Sequence, residues 1–330
     1  MRLGVLRSFD PDWELYARAC TDLGVDYRVV DFIGPAWMEE CESSGCDGFL
    51  ARPPADFPER KALYDERLLF LVTVMNRRVY PSLPELLLYE NKRFLAYCLS
   101  HHRFPHVETR VFAEKRAALD FAADADYPFV SKRSIGAGGR TVTIVRSRRH
   151  ARRLIQAIFG YGLPGLTLGK QAFGHMGPIP VPLPGMEQKH YAIFQDYVDI
   201  KWEWRVIRIG RSYFGHQKLP GGPRGLASGS RLIGWARPPD ALLHLVRDLC
   251  DRLGFRSMAV DVFETGRGEH LVNELQTVFG FHTPHQMILD GVAGRFVYED
   301  GAFRFEEGEF TRNGCYDLRV LHFLEELRSG

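Results

Sequence analysis

At 330 residues the chain is longer than one small hydrophobic core accommodates, which predicts two or three domains. Hydrophobic residues make up 45% of the sequence and charged residues 25%, the balance of an ordinary globular protein. The formal net charge of +2 provides no strong overall field, so neither nucleic acid nor an anionic membrane is expected as a partner.

Neither a targeting segment nor a membrane span is predicted. The sequence reaches Asp10 before a signal-like apolar region forms. The longest apolar run, from Leu68 to Met75, is far shorter than the ~20 residues that cross a bilayer. The six cysteines are scattered and form no C-x-x-C pair, which is typical of reduced thiols rather than of disulfides or a zinc site. We therefore expect a cytoplasmic protein.

The first stretch of the chain alternates short apolar strands with helices. Leu3 to Leu6 is predicted to form a buried strand, and Asp10-Pro11 has the N-cap and first-turn proline of a helix start. Further strands are predicted at Val25–Val30 and Asp47–Leu50. This alternation indicates a small parallel α/β domain.

The middle of the chain begins with a predicted linker at Tyr80–Pro84. One helix is predicted from Pro84 to about His101, followed by a strand near Glu108–Phe112 and a helix near Ala113–Ala123. Two apolar strands then flank a glycine-rich turn. Residues 160–184 are rich in glycine and proline with little periodicity, which indicates a mobile loop.

The last part of the chain is predicted to be mostly sheet. The predicted strands are Tyr191–Val198, Trp204–Ile209, Met258–Phe263 and His270–Leu275, with a hairpin at Phe296–Phe310. Helices are predicted at Asp240–Leu253 and Leu318–Leu327.

The glycine-rich turn Ser134-Ile135-Gly136-Ala137-Gly138-Gly139 is a candidate phosphate loop, because glycines let backbone N–H groups approach phosphate oxygens. A strand is predicted on each side, whereas a P-loop or a dinucleotide fingerprint needs a helix after the loop. The turn is therefore a hairpin that could fold over phosphates as a flap. Lys132, at the end of the incoming strand, could then contact a phosphate. An ordinary turn without a ligand is the alternative.

Two acids lie in predicted strands near the other end. Asp261 and Glu274 are on neighbouring strands joined by a glycine-containing turn, and Gln276 follows Glu274 by two residues. Buried carboxylates need a partner. Magnesium prefers oxygen ligands and is commonly held by one or two carboxylates together with substrate phosphates. The sequence is thus consistent with a magnesium site, or with two carboxylates that pair with nearby arginines.

In order and spacing, these pieces resemble the ATP-grasp superfamily, which includes D-alanine–D-alanine ligase, glutathione synthetase and the glutamate-adding peptide ligases. The resemblance covers nearly the whole chain. It implies a mixed α/β and α+β architecture with three domains. These are a small parallel α/β domain over 1–85, a lid domain with the glycine-rich flap over 86–190, and an antiparallel-sheet domain with a metal site over 191–330.

The resemblance also implies which residues hold ATP and Mg²⁺. Lys92 and Lys132 match the two ATP lysines. The residues matching the phosphate flap are Gly136, Gly138 and Gly139. Those matching the adenine hinge are Gln195, through its side chain, and Asp196, Tyr197 and Val198, through their backbone.

Further matches concern the ribose, the transferred phosphate and the metal. Glu203 matches the ribose-binding carboxylate, Arg205 an arginine near the transferred phosphate, and Lys218 a cation that faces substrate and phosphate. Asp261 and Glu274 match the metal carboxylates. Two positions depart from the family pattern. Gln276 stands where the family usually has asparagine, and Phe279-Gly280 stands where it often has Pro-Gly.

By this resemblance the protein is expected to be an ATP-dependent carboxylate–amine ligase that forms an amide bond through an acyl phosphate. Its substrates would be small-molecule or peptide carboxylates and amines, and a homodimer is compatible with the family. The alternatives are a kinase that phosphorylates a hydroxyl and a nucleotide-binding pseudoenzyme. A dehydrogenase is disfavoured because no glycine fingerprint follows Leu6. We expect His282 and His285, which form H-x-x-H, to contact substrate rather than metal.

Overall fold

The computed structural model describes residues 1–55, 57–135, 142–159, 188–221, 227, 230, 232–280 and 283–329. The described strands form three sheets. The predicted flap glycines Gly136, Gly138 and Gly139, the predicted mobile loop at 160–184, and His282 all lie outside the described residues.

The first sheet has four parallel strands in the order β2-β1-β3-β4. They are β1 Arg2–Leu6, β2 Asp26–Val30, β3 Gly48–Leu50 and β4 Val79–Tyr80. A 3₁₀ turn at Pro11–Trp13 and the helices α1 Glu14–Asp22, α2 Trp37–Ser43 and α3 Pro58–Thr73 connect the strands. The parallel sheet confirms the α/β character predicted for this stretch.

The C-terminal helix α9, Tyr316–Ser329, packs against this first sheet. Its residues Val320 and Phe323 share a buried core with Leu3 and Val5 of β1. The contact is close, because a Cβ added at Gly48 would lie 2.5 Å from the Phe323 ring. The end of the chain therefore completes the N-terminal layer.

Two helices, rather than the single predicted one, follow the first sheet. They are α4 Leu83–Leu88 and α5 Lys92–His101. The prediction of one continuous helix was wrong because Glu90 adopts a left-handed conformation with φ of 52°, which a helix cannot contain. Asn91 then caps α5 by accepting a hydrogen bond from the Phe94 N–H.

Glu85 on α4 is fully buried and joins α4 to the third sheet. Its Oε2 accepts hydrogen bonds from the backbone and side chain of Ser82, and its Oε1 accepts from the N–H groups of Arg256 and Ser257. Its carbonyl accepts from the Thr277 hydroxyl at 2.6 Å. Burial raises the pKa of this carboxyl, and the hydrogen bonds partly offset that effect.

The second sheet is antiparallel, in the order β5-β8-β6-β7. Its strands are β5 Thr109–Phe112, β6 Phe129–Lys132, β7 Val142–Val145 and β8 Ala192–Asp196. Helices α6 Lys115–Asp124 and α7 Arg148–Phe159 pack on it. The domain boundary at 190/191 stays a prediction. Since β8 is hydrogen-bonded to β5 and β6, we propose to move that boundary beyond Asp196.

The third sheet has eight described strands, and its main path runs β13-β12-β9-β10-β15-β14. Helix α8, Asp240–Leu253, covers it and ends at Gly254, whose φ of 68° suits glycine. The strands are β9 Ile200–Ile209, β10 Ser212–Lys218, β11 Ile233–Gly234, β12 Ser257–Thr265, β13 His270–Gln276, β14 Ile288–Leu289, β15 Val292–Glu299 and β16 Ala302–Glu307.

The predicted hairpin near Phe296–Phe310 is confirmed by the pairing of β15 with β16. Within the described ranges, no helix has both the length and the apolar character needed to cross a membrane.

Candidate active site

Strand pairing brings charged side chains from four strands of the third sheet together. Asp261 of β12 lies opposite Arg205 of β9 on one side and opposite Glu274 of β13 on the other. Lys218 of β10 lies opposite Glu203 of β9. The prediction that Asp261 and Glu274 lie side by side is confirmed.

Asp261 is fully buried and held by two cations. The Arg205 guanidinium donates two hydrogen bonds to it, from Nε to Oδ1 and from Nη2 to Oδ2, each at 2.8 Å. Lys218 Nζ lies 3.0 Å from Asp261 Oδ2 and 3.0 Å from Glu203 Oε1. Burial alone would raise the pKa of Asp261, but Arg205 and Lys218 hold it well below its usual range. The alternative in which this acid pairs with a nearby arginine is therefore the arrangement that the structure shows.

Glu274 pairs with Lys92 from the start of α5, at 3.0 Å. Lys92 Nζ also lies 3.5 Å from Glu90 Oε2 and donates to the Ser134 carbonyl at 3.3 Å. Against the effect of burial, Lys92 and Lys132 lower the pKa of Glu274. Both carboxylates are thus ionised at neutral pH and neutralised by protein cations.

Lys132, at the end of β6, reaches the third sheet from the second. Its Nζ donates to Asn273 Oδ1 at 2.8 Å, and Asn273 Nδ2 donates to Glu203 Oε1 at 3.3 Å. Burial lowers the pKa of Lys132 to about 8, partly offset by the negative charge of Glu274. Lys132 and Glu274 therefore face the same site, although they belong to different sheets.

Asn273 was missed by the sequence analysis, because strict strand alternation directs it away from the face that Glu274 occupies. The register shifts here: Asp261 pairs with Glu274 and Val262 pairs with Val272, which leaves Asn273 as a bulge residue. Glu90, which contacts Lys92, was missed as well. Its position two residues before the predicted ATP lysine is the only signal that the sequence offered.

Glu203 has a buried carboxylate oxygen without a partner. The residue is 1% exposed, and its Oε2 has no hydrogen-bond partner among the described residues. Burial raises the pKa of this carboxyl even though Lys218 opposes the effect. An orphaned buried acceptor is costly, so it marks a position where a ligand donor would bind favourably.

A narrow cleft with a cavity volume of only about 10 Å³ lies beside this cluster. Its polar lining includes Lys92, Lys132, Gln195 and Asn273. The apolar lining residues are Leu95, Ala96, Leu99, Val107, Ile193 and Val272. A mainly apolar cleft that is also lined by a few polar groups is the usual form of a small-molecule site.

The predicted hinge residues lie at the end of β8, next to this cleft. Gln195 is buried and donates to Thr109 Oγ1 at 3.0 Å, and Asp196 pairs with Arg110 at 2.6 Å. Tyr197 is half exposed. Only Gln195 of the predicted hinge lines the described cleft, and Val198 has no described contact with it.

The donor set suits magnesium, because the oxygens of Asp261 and Glu274 are hard ligands on adjacent strands. In the described part of the chain, no group of three or more His, Cys, Asp or Glu side chains could hold a metal by itself. The remaining ligands would then be phosphate and water oxygens, as is common for magnesium. Gln276 lies opposite Ala259 and takes no part in the ion pairs, so its role as a ligand stays a prediction.

Comparisons with known proteins give a match only at the level of structure. No protein-family model matches the sequence, and no curated protein matches it. The fold is similar to that of D-cycloserine synthetase DcsG, with a TM-score of 0.58 and 17% identity over 99% of this chain and 100% of that one.

Two further solved structures have similar folds. One is a RimK domain ATP-grasp protein from Sphaerobacter thermophilus DSM 20745, with a TM-score of 0.51 and 18% identity over 84% of this chain and 92% of that one. The other is N5-carboxyaminoimidazole ribonucleotide synthetase PurK with ADP, with a TM-score of 0.55 and 15% identity over 84% of this chain and 69% of that one. The chain therefore has the ATP-grasp fold.

Proposed function

We propose that this protein is an ATP-dependent ligase that joins a carboxylate to an amine through an acyl phosphate. The observation that carries the proposal is the convergence of four cations, from α5 and two sheets, on the two carboxylates Asp261 and Glu274. The cations are Lys92, Lys132, Arg205 and Lys218. The names of structures with this fold, which include synthetases and ligases, support the same reaction class.

Adenosine would occupy the narrow cleft after its walls move apart, because the present cavity volume of about 10 Å³ holds about one water molecule. Gln195 would contact the adenine amino group, and the backbone of Asp196, Tyr197 and Val198 would complete the base contacts. Glu203 would bind the ribose hydroxyls. Its unpartnered Oε2 supports this role, since a hydroxyl donor would satisfy it.

On binding, the triphosphate would replace Asp261 and Glu274 as the partner of the protein cations. Lys92 and Lys132, with Arg205 and Lys218, would turn from the carboxylates to phosphate oxygens, and the glycines Gly136, Gly138 and Gly139 would cover them. Asp261 and Glu274, with Gln276 nearby, would then hold magnesium, which supplies charge neutralisation during phosphoryl transfer. Exchange keeps every buried charge paired, which is the condition for burying charges at tolerable cost.

The chemistry follows in two steps. A carboxylate oxygen of the first substrate attacks the γ-phosphorus, the bond from that phosphorus to the bridging oxygen breaks, and ADP leaves. The amine then attacks the acyl carbon, loses a proton, and expels inorganic phosphate. Arg205 and Lys218 stabilise negative charge in both steps, and a closed lid keeps water from the acyl phosphate.

The test combines Mg-ATP with panels of carboxylates and amines. ADP and phosphate should be released only when both substrates are present, and mass spectrometry should find the amide, lighter than the two substrates together by one water. A stable phosphorylated product would identify a kinase instead. Nucleotide binding without turnover across the panels would identify a pseudoenzyme.

Cellular location and assembly state belong to the same proposal. All six cysteines are free, which supports a reducing compartment such as the cytoplasm. The homodimer stays a prediction, which light scattering on the purified protein would test.

A further inference from the structure

A second cavity, with a volume of about 450 Å³, is lined by none of the ion-paired residues of the candidate active site. Three elements form its walls. Helix α1 contributes Arg18, the turn after β13 contributes Gly280 and His285, and the segment before α9 contributes Glu309 and Arg312. It therefore lies where the N-terminal layer meets the chain that follows the proposed metal carboxylate.

Positive charge exceeds negative charge on the described walls. Arg18 is exposed and makes no hydrogen bond or ion pair in the part of the chain that the structure describes. Arg312 lies 3.7 Å from Asp317, which also accepts a shorter hydrogen bond of 2.6 Å from Asn313. The wall carboxylate Glu309 lies 3.4 Å from His285. Two guanidinium groups thus retain donors for an anion.

The turn after β13 links this cavity to the candidate active site. Gln286, next to His285, accepts a hydrogen bond from His216 Nδ1 at 2.9 Å. His216 lies opposite Arg205 in the third sheet. Burial lowers the pKa of His216 to about 4, so its imidazole is neutral at pH 7. The charges of Arg205, Asp261 and Lys218 also affect this pKa, so His216 lies close to the ion-paired cluster. The turn that lines the cavity therefore also contacts a strand of the candidate active site.

Backbone packing fixes two of the segments that line the cavity. Gly280 has φ of 94°, and a Cβ there would lie 2.3 Å from the Gly314 carbonyl oxygen. The Thr311 hydroxyl donates to the Pro284 carbonyl at 2.8 Å. The two segments that face each other across the cavity are thus held at a set separation, which lowers the ordering cost of binding.

We propose that this cavity binds the unreacted carboxylate of the amine substrate, an α-amino acid or short peptide, through Arg18 and Arg312. The inference rests on the proposed ligase function. The carboxylate that becomes phosphorylated must lie at the ion-paired cluster, so we assign an anion in this separate cavity to the other substrate. Arginine suits this role because its planar donors match a carboxylate bidentately.

The test measures binding directly, with and without Mg-ADP, by calorimetry. The probes are the common α-amino acids, diglycine and triglycine, each with its C-terminal amide. We expect at least one carboxylate to bind and its amide to bind about tenfold more weakly, because one charge-assisted contact is lost. Arg18→Gln and Arg312→Gln should each weaken that probe about tenfold and leave Mg-ADP affinity unchanged.

Arg28→Gln is the matched control, since Arg28 is an exposed arginine on β2 that does not line the cavity. Unchanged thermal unfolding midpoints would show that the variants fold. Equal binding of acids and amides, no binding of any probe, or equal effects of all three variants would overturn this inference. Failure of Mg-ADP to bind would instead overturn the proposed function, and the nucleotide-free titrations would still decide whether the cavity binds carboxylates.

Discussion

Strand β12 carries two carboxylates three residues apart, and their surroundings differ in kind. Asp261 is held by the cations Arg205 and Lys218. Glu264 accepts hydrogen bonds from two indole N–H groups, Trp202 Nε1 at 2.9 Å and Trp204 Nε1 at 2.7 Å. The pKa of both carboxyls is lowered against the effect of burial. The cations are responsible at Asp261, and mainly the indole hydrogen bonds at Glu264.

We call the ion pairs of Asp261 with Arg205 and Lys218 the exchangeable region, and Glu264 with its two indole donors the fixed region. A triphosphate can attract Arg205 and Lys218 away from Asp261, because they carry full charges that bind any strong anion. The indole of Trp204 is neutral, buried and packed in the core, so it has no competing partner. Glu264 therefore stabilises the end of the sheet, whereas the cluster around Asp261 is suited to ligand exchange.

The largest effect is expected at Glu274, which lies opposite Asp261 of the exchangeable region. Glu274→Gln keeps the side-chain shape but removes the charge that would hold magnesium. Turnover should fall by on the order of 10²–10³ or more, measured as ADP release at saturating substrates. Glu264→Gln is the matched control and should retain turnover. Equal losses in the two variants would contradict the distinction between the regions.

The next effect concerns nucleotide binding. Lys132→Ala should weaken Mg-ATP binding by about 1–3 kcal/mol, or ~5–150-fold in Kd, because one charge-assisted contact is lost. Calorimetry with a non-hydrolysable analogue would measure it. Lys201→Ala removes a lysine beside Glu264 and serves as control. Unaltered affinity in the Lys132 variant would remove that residue from the site.

A smaller effect is expected in the fixed region. Glu264→Ala should lower the free energy of unfolding by about 1–3 kcal/mol, because the buried indole of Trp204 and the partly buried indole of Trp202 lose their acceptor. Urea denaturation would measure the loss. Mg-ADP should stabilise this variant as much as the unchanged protein, since its site is intact. A diminished ligand effect would place Glu264 in the exchangeable region instead.

The smallest effect is a pH dependence of nucleotide affinity. Because the pKa of Lys132 is lowered to about 8 without ligand, the residue is charged at pH 7 and becomes neutral above pH 8. Mg-ADP affinity should therefore fall as pH rises from ~7 to ~9.5, by at most about tenfold per pH unit. In Lys132→Ala the slope should disappear. A slope that persists there would assign the titration to another group.

The sequence predicted the parts of the site that depend on strand pairing. The glycine-containing turn between β12 and β13 implied that Asp261 and Glu274 are neighbours, and they pair in register. The role of Asn273 could not be predicted, because a β-bulge turns this one side chain to the other face of the sheet. A bulge leaves no periodic signal in the sequence. The break between α4 and α5 was hidden because apolar residues continue across Glu90.

Contacts between distant parts of the chain were also beyond the sequence. The pairing of β8 with β5 and β6 depends on residues far apart in sequence, and apolar alternation does not specify which sheet a strand joins. The cation partners of Asp261 were equally undetermined. A charged partner was expected from the cost of burial, but the choice between metal and arginine depends on whether a ligand is bound.

The hydrogen bonds of Glu85 have a consequence for how the two proposed ATP lysines are supported. They anchor α4 to the start of β12 and to Thr277 after the end of β13, and α5 with Lys92 follows directly. Lys132 belongs to the second sheet. A change in the angle of the second sheet would move Lys132 but leave Lys92 beside Glu274. A nucleotide would then be bound between Lys92, which stays in place, and Lys132, which moves with the second sheet.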